Sequence, residues 1–324
     1  MKYKIIYSFL ILLSIILSPI YSIAACPDPN TIMVPPKLAN VEVKASIALD
    51  PKTGIYAYSY SIKNGKESTG CIWSFEVDIK KPEAGIDLPK EGLINVPKFA
   101  DLDAPDETSP PMIPVTFPSL PKINKFVIWG GGISVYGTAS WGSRRQTYQV
   151  MPGTTLAGLA MTSYGLPTIR DFKVDPKYIA ENEDIFNMGV PKEELNEGNL
   201  SQHLKTFYDS IAWKGKTLGP TAPPANFVAL DFLTYLVDLK HQAAELGWIT
   251  NPGVEDSLDV KLNQVKAKLQ SGDTKTASNQ LSAFLNEVSA QGCETYDNCP
   301  NGKHLSPEAW GLLYFNGKYL LERL

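Results

Sequence analysis

The stretch Ser257–Leu324, SLDVKLNQVKAKLQSGDTKTASNQLSAFLNEVSAQGCETYDNCPNGKHLSPEAWGLLYFNGKYLLERL, carries the clearest periodicity in the chain. Leu258, Leu262, Val265 and Leu269 recur at the spacing of one helical face. Asp256 or Ser257 is placed to cap that helix, and Gly272-Asp273 to stop it. A second stripe follows at Ala277, Leu281, Phe284, Leu285 and Val288. The last helix opens on Ser306-Pro307-Glu308: a capping hydroxyl, a proline in the first turn and an acid at the positive helix end. Trp310, Leu313, Leu320, Leu321 and Leu324 give it an apolar face. So small a helical unit lies near the lower limit of independent stability. The helix expected over Asn226–Leu246, with Phe227, Leu230, Leu233, Val237 and Ala244 in step, therefore supplies a further stripe to the same bundle. Packing and capping account for these positions and leave none over for chemistry.

Upstream the period changes from that of a helix to that of a strand. Val41, Val43, Ala45, Ile47 and Leu49 alternate with polar residues, and Asp50–Gly54 makes a turn. Tyr56, Tyr58 and Tyr60 share one face of the next strand, with Ser59, Ser61 and Lys63 on the other, before the turn Asn64-Gly65. Trp73, Phe75, Val77 and Ile79 repeat the pattern. Residues 80–122 are dense in proline and read as a long irregular connection. Further strands are expected over Lys125–Trp129, Ile133–Thr138, Gln146–Val150, Leu156–Ser163 and Thr168–Val174, with Gly130–Gly132 as a bulge or tight turn. The expected fold class is α+β multidomain. An antiparallel β-sandwich of immunoglobulin or fibronectin kind spans 34–176, an irregular linker 177–225, and a three- to four-helix bundle 226–324 with its core at 257–324.

The net charge of −4, from 30 Lys and Arg against 34 Asp and Glu, argues against a nucleic-acid surface. Lys2 and Lys4, the apolar run Ile5–Ile16 and the small residues ending at Ala24-Ala25 follow the order of a secretory signal peptide, expected over 1–25. No later segment is long and apolar enough to span a bilayer, so the mature chain is expected to lack a transmembrane segment and to be periplasmic or extracellular. Ile23-Ala24-Ala25-Cys26 also fits a bacterial lipobox, which would make Cys26 a lipid anchor. The four cysteines favour the other outcome. Cys293 and Cys299 lie six apart in a Gly/Asn/Asp-rich loop and are natural partners, which leaves Cys26 with Cys71.

The segments LNQVKAKLQSGDTKTASNQLSAFLNEVSAQ and HLSPEAWGLLYFNGKYLLERL resemble the FIMAH-type helical module. The shared pattern is a Leu-rich helix, a Gly-Asp turn, an Asn-Gln-Leu-x-Ala-Phe helix and a last helix beginning Leu-Ser-Pro-Glu. The loop from Cys293 to Cys299 departs from it. The resemblance implies an exported bacterial protein and an accessory role, and it transfers no catalytic residue. The strand YAYSYSIKNG with WSFEVDI, the Trp141-Gly142 region and MPGTTLAGLAMTSYGLPTIRDFKV resemble a recurring module of exported bacterial proteins, to which no activity attaches.

Motifs for chemistry are sparse. The three histidines, His203, His241 and His304, stand far apart, and neither a Gly-x-Ser-x-Gly elbow nor a His-Glu-x-x-His helix occurs. No cofactor, metal site or catalytic residue is expected. Asp101, Asp103 and Asp106, and the acidic residues Glu181, Glu183, Asp184, Glu193, Glu194 and Glu197, read first as solvated surface. Trp141, Arg144, Arg145 and Tyr148 form the one basic-aromatic cluster, a candidate site for a glycan or a surface protein. The leading expectation is an exported non-catalytic binding or surface-associated protein, with the sandwich as recognition unit and the helices as spacer or docking accessory. Its rivals are an exported hydrolase with an acidic pair and a purely structural envelope protein.

Overall fold

The alternation at Val41–Leu49 and Tyr56–Ile62 becomes a paired hairpin in the computed structural model, which describes residues 26, 32, 34–79, 93–98, 129–133, 137–143, 148–191 and 198–324. The signal segment, the proline-rich connection from 99 to 122, Asp101, Asp103, Asp106, Arg144, Arg145, Glu193, Glu194 and Glu197 lie outside the described residues. In chain order the elements are β1 (Glu42–Asp50), β2 (Ile55–Lys63), β3 (Ile72–Asp78), β4 (Leu93–Lys98), β5 (Gly130–Ile133), β6 (Thr138–Gly142), β7 (Thr155–Ser163) and β8 (Leu166–Pro176). They continue with α1 (Asn182–Asn187), α2 (Leu200–Ile211), β9 (Trp213–Thr221), α3 (Ala229–Glu245), α4 (Pro252–Gln270), α5 (Thr274–Gln291) and α6 (Pro307–Leu321).

The strands form two antiparallel sheets, ordered β1-β2-β7-β4 and β5-β6-β3-β8-β9. They pack face to face through the side chains that the alternation turned inward. Tyr58, Tyr60 and Ile62 are buried from the first sheet, and Phe75, Val77, Trp141, Val174 and Leu218 from the second. The Tyr60 ring lies 5.4 Å from Phe75 and 5.5 Å from Trp141. Its hydroxyl donates to the Leu218 carbonyl at 2.9 Å, and that of Tyr58 to Gly165 at 2.7 Å. A buried phenol needs such a partner.

Three expectations about this half need correction. Residues 177–225 are not an irregular linker: they hold α1, α2 and β9, and β9 pairs with β8 from Leu166 to Val174. The sequence WKGKTLGPT hides a strand because its glycines make room for neighbours. A Cβ on Gly215 would meet the Phe172 ring at 2.7 Å, and one on Gly219 would meet Arg170 Cγ at 2.8 Å. Pro220 is tolerated because β9 is a sheet edge. Likewise Gly130–Gly132 is part of edge strand β5, not a bulge, and Val150 makes only an isolated bridge to Ile72.

The helices start and stop largely as expected. Asp273 accepts from Thr276 N and opens α5, and Ser306 accepts from Ala309 N ahead of Pro307. The cap of α4 is instead Asn251, whose Oδ1 accepts from Gly253 and Val254. Between α3 and α4 the fully buried Lys240 ammonium lies 3.0 Å from Glu255 and 2.7 Å from Asp259.

Helix α6 has no solvent face over most of its length: Glu308–Leu313 and Phe315–Gly317 are all buried. Such a helix must be packed all round. On one side Gly317 presses on Phe284 and Leu285 of α5. On the other, α6 lies against β1, β8 and β9, where the edge of one sheet meets the edge of the other. Glu308 Oε1 accepts the Ala45 amide of β1 at 2.7 Å, Asn316 Nδ2 donates to the Pro167 carbonyl at 2.8 Å, and Phe315 meets Tyr56 edge-on at 5.2 Å. A free edge amide is a liability that a helix can cover. The helical bundle is thus a lid on the open side of the sandwich, not a detached spacer.

Burial raises the Glu308 carboxyl above its ordinary value, while the Ala45 amide and Tyr296 hydroxyl favour the charged form. A raised carboxyl pKa means that the folded state holds the proton more tightly than the unfolded chain. This contribution is full below the ordinary glutamate pKa and is lost as pH rises through the folded value. Glu308→Gln keeps an acceptor for Ala45 and cannot titrate. Urea unfolding across a pH series should show wild-type stability falling relative to Glu308→Gln as pH climbs above the ordinary value of 4.5. A difference that stays flat with pH would sever the link between this carboxyl and docking.

Candidate functional site

The outer face of the second sheet carries charge in register. Glu76 of β3 stands directly opposite Lys173 of β8, and Ser74 opposite Asp175. Opposite charges so placed attract across a strand pair. Helix α2 then lays Asp209 over the same ammonium. Lys173 Nζ lies 3.4 Å from Glu76, 3.5 Å from Asp175 and 3.7 Å from Asp209.

The roof above this face is the segment first read as linker. Tyr178 donates to both oxygens of Asp184 at 3.0 and 2.8 Å, and Ala180 N donates to the Tyr208 hydroxyl at 3.1 Å. Phe207 is buried against Tyr178, with ring centroids 5.8 Å apart. The acidic residue Asp184 is therefore a structural tie. Between roof and sheet runs a groove of about 780 Å³, within the range of small-ligand sites. Half-buried Trp73 lines it, with Lys177 Nζ 4.9 Å from the centre of its ring.

The charges set one another. Burial raises the Glu76 carboxyl, assisted by Asp175 and opposed by Lys173. Burial pulls Lys173 down, but Asp175, Glu76 and Asp209 outweigh it and hold the ammonium above its ordinary value. Burial acts upward on Asp209, and the hydrogen bond from Lys205 with the Lys173 charge brings it below the usual carboxylate value. Asp175 is 7% exposed. Its Oδ2 accepts from Ser74 at 2.6 Å, while its buried Oδ1 has no hydrogen-bond partner among the described residues.

Of the cluster expected around Trp141, only Trp141 and Tyr148 are among the described residues, and Trp141 is turned away from any ligand. That side chain is 1% exposed and stacked on Phe75 at 5.3 Å, inside the sandwich. Its place on β6 points it inward, so it offers no ring to a ligand. Tyr148 packs partly buried against the core, and its carbonyl accepts from Trp129 Nε1. The expected cysteine pairs are both formed, Cys26–Cys71 and Cys293–Cys299, and no helix among the described residues is long and apolar enough to cross a membrane. His241, Glu255 and Asp259 bring ligand-type atoms within 4.8 Å of one another. Lys240 already bridges both carboxylates, which makes this an ion-pair network between helices. Trp73, Glu76, Lys173, Asp175 and Asp209 were not foreseen as a site. The run Asp171-Phe172-Lys173-Val174-Asp175 does show charge on one strand face, a pattern that a solvated face shares.

Fold and site together define a β-sandwich protein with a roofed, charge-lined groove on one outer face and a helical module closing its side. That module is where a known family enters: the FIMAH domain matches residues 233–321, from within α3 to the end of α6. The match lies outside the groove. A comparison with curated proteins found no match.

Proposed function

We propose that this is an exported, non-catalytic binding protein whose recognition surface is the groove over β3 and β8. The observation that carries the proposal is the Lys173 ammonium, set among three carboxylates in a cavity roofed by α2. The same observation weighs against the hydrolase. Glu76 and Asp175 form a carboxylate pair in a cleft, and burial raises one of them as a general acid requires. Yet glycoside hydrolysis develops positive charge between such a pair, and a fixed ammonium there would oppose it.

Export rests on the signal-like residues 1–25 and on the two disulfides, which suit an oxidising compartment. Cys26 Sγ cannot carry a lipid thioether while bonded to Cys71, which favours a soluble periplasmic or extracellular form over a lipoprotein. The helical module acts in this reading as the clamp that fixes the sandwich.

The test exposes wild type and Trp73→Ala to immobilised oligosaccharides and immobilised peptides, with product release followed in parallel. Saturable binding lost in Trp73→Ala, without turnover, is expected. Product that accumulates with time and stops in Glu76→Gln would replace this reading with the hydrolase. Binding to neither panel would favour the structural envelope role.

A further inference from the structure

Resting on that reading, we propose that the groove takes a neutral glycan, with Lys173 and its carboxylates as the hydroxyl-binding set and Trp73 as the stacking platform. Three features point to this class. The first is the unmet hydrogen-bonding capacity of the cluster. Asp175 is more than nine-tenths buried, its Oδ1 has no hydrogen-bond partner among the described residues, and it faces Lys173 Nζ at 3.5 Å. Solvent does not reach that oxygen, so Asp175 holds the ammonium in place for a ligand instead of meeting one itself. The contacts of Lys173 to Glu76 and Asp209, at 3.4 and 3.7 Å, are longer than well-formed charged hydrogen bonds.

The second feature is the alternation of donor and acceptor. A hydroxyl both donates and accepts. Neighbouring hydroxyls of a sugar ring can donate to Glu76 or Asp209, both partly exposed, while accepting from Lys173. A purely anionic or cationic ligand matches only half of this set and is repelled by the other half. The whole lining is near balance, with five carboxylates against four lysines, so no net field selects a charged ligand.

The third is Trp73. Lys177 lines the groove and holds its ammonium over the indole. The face that attracts this cation is the negative face of the ring quadrupole, and the C–H bonds of a sugar present their positive ends to the same face. Lys177 is half-exposed and long, so it can swing aside to solvent. Peptides could use the ring, but their backbone amides do not combine donor and acceptor on one atom as a hydroxyl does.

The test is calorimetric titration with cellohexaose, xylohexaose, maltohexaose and N-acetylchitohexaose, at low and high salt. Wild type is expected to bind at least one of them with little salt dependence, because the ligand carries no charge. Trp73→Ala, Asp175→Asn and Lys173→Met should each weaken binding about tenfold or more, the scale of one lost aromatic contact or one lost charged hydrogen bond. Thermal melts of each variant separate loss of contact from loss of fold, and Glu76→Gln serves as a second probe should Lys173→Met fail to fold. Oligosaccharide binding that none of these variants weakens would place the sugar elsewhere and overturn the assignment. No binding to any of the four sugars, with peptide binding that Trp73→Ala abolishes, would overturn the glycan while leaving the groove as a recognition surface.

Discussion

Gly311→Ala should destabilise the protein by about 2–3 kcal/mol, the overpacking scale for a close-packed site. Alanine favours helix over glycine by about 1 kcal/mol, so helix propensity alone gives the opposite sign. The contact decides. A Cβ at Gly311 would stand 2.2 Å from Ile47 Cγ2, far inside van der Waals contact, and Leu218 lies 3.8 Å away. Ile47 cannot yield cheaply: it is 3% exposed, and its β-branched side chain is stiff at χ1. Helix α6 cannot back away either, because Gly317 is pressed on Leu285 on its other side. Chemical denaturation measures the loss, and the double variant Gly311→Ala/Ile47→Ala should be less destabilised than the sum of the singles. Additive singles would mean that α6 does not sit against β1 as closely as Gly311 requires.

That glycine shows where the sequence stops being readable. The stripes of α4 and α5 were legible because each helix has one wet face, and Leu258, Leu262, Leu281 and Phe284 all fall on the buried side. Tyr58 and Tyr60 were legible for the same reason in a strand. Helix α6 was legible as a helix, but Gly311 and Asn316 read as incidental, and Glu308 as no more than a favourable charge at the helix start. Their meaning depends on β1 and β8, more than a hundred residues upstream. Strand β9 was missed because glycine and proline speak against a strand locally, and only the bulk of Phe172 and Arg170 on its neighbour explains them.

The groove was less legible than the fold. Each carboxylate sits where an ordinary solvated strand face would put it, and Asp209 reads as one polar residue of an amphipathic helix. What makes a site of them is α2 folding back over β8, and no local pattern announces that. The aromatic signal misled in the opposite direction. Trp141 beside two arginines resembles a binding surface, yet strand alternation across Thr138–Gly142 turns Ala139 and Trp141 inward together.

Replacing Cys26 and Cys71 together by serine should be the more damaging of the two disulfide deletions. In the chain-entropy model a closed loop of 45 residues is worth about 4 kcal/mol, against about 2 kcal/mol for the separation of 6 between Cys293 and Cys299. The longer loop spans β1 and β2 and ends where β3 begins, so its loss also frees the strand that carries Trp73 and Glu76. Unfolding by urea ranks the two double variants. Susceptibility to reductant should run the other way in its cause but agree in its consequence. Both sulfurs of the first bridge belong to residues 4% exposed, whereas Cys299 is open to solvent. Exchange needs an accessible sulfur. Mild reduction followed by alkylation and mass spectrometry should therefore label Cys293 and Cys299 first, with the groove still formed. Simultaneous labelling of all four cysteines would mean that the Cys26–Cys71 bridge is not held inside the sandwich, and the anchoring of β3 would have to come from its pairing with β6 and β8 alone.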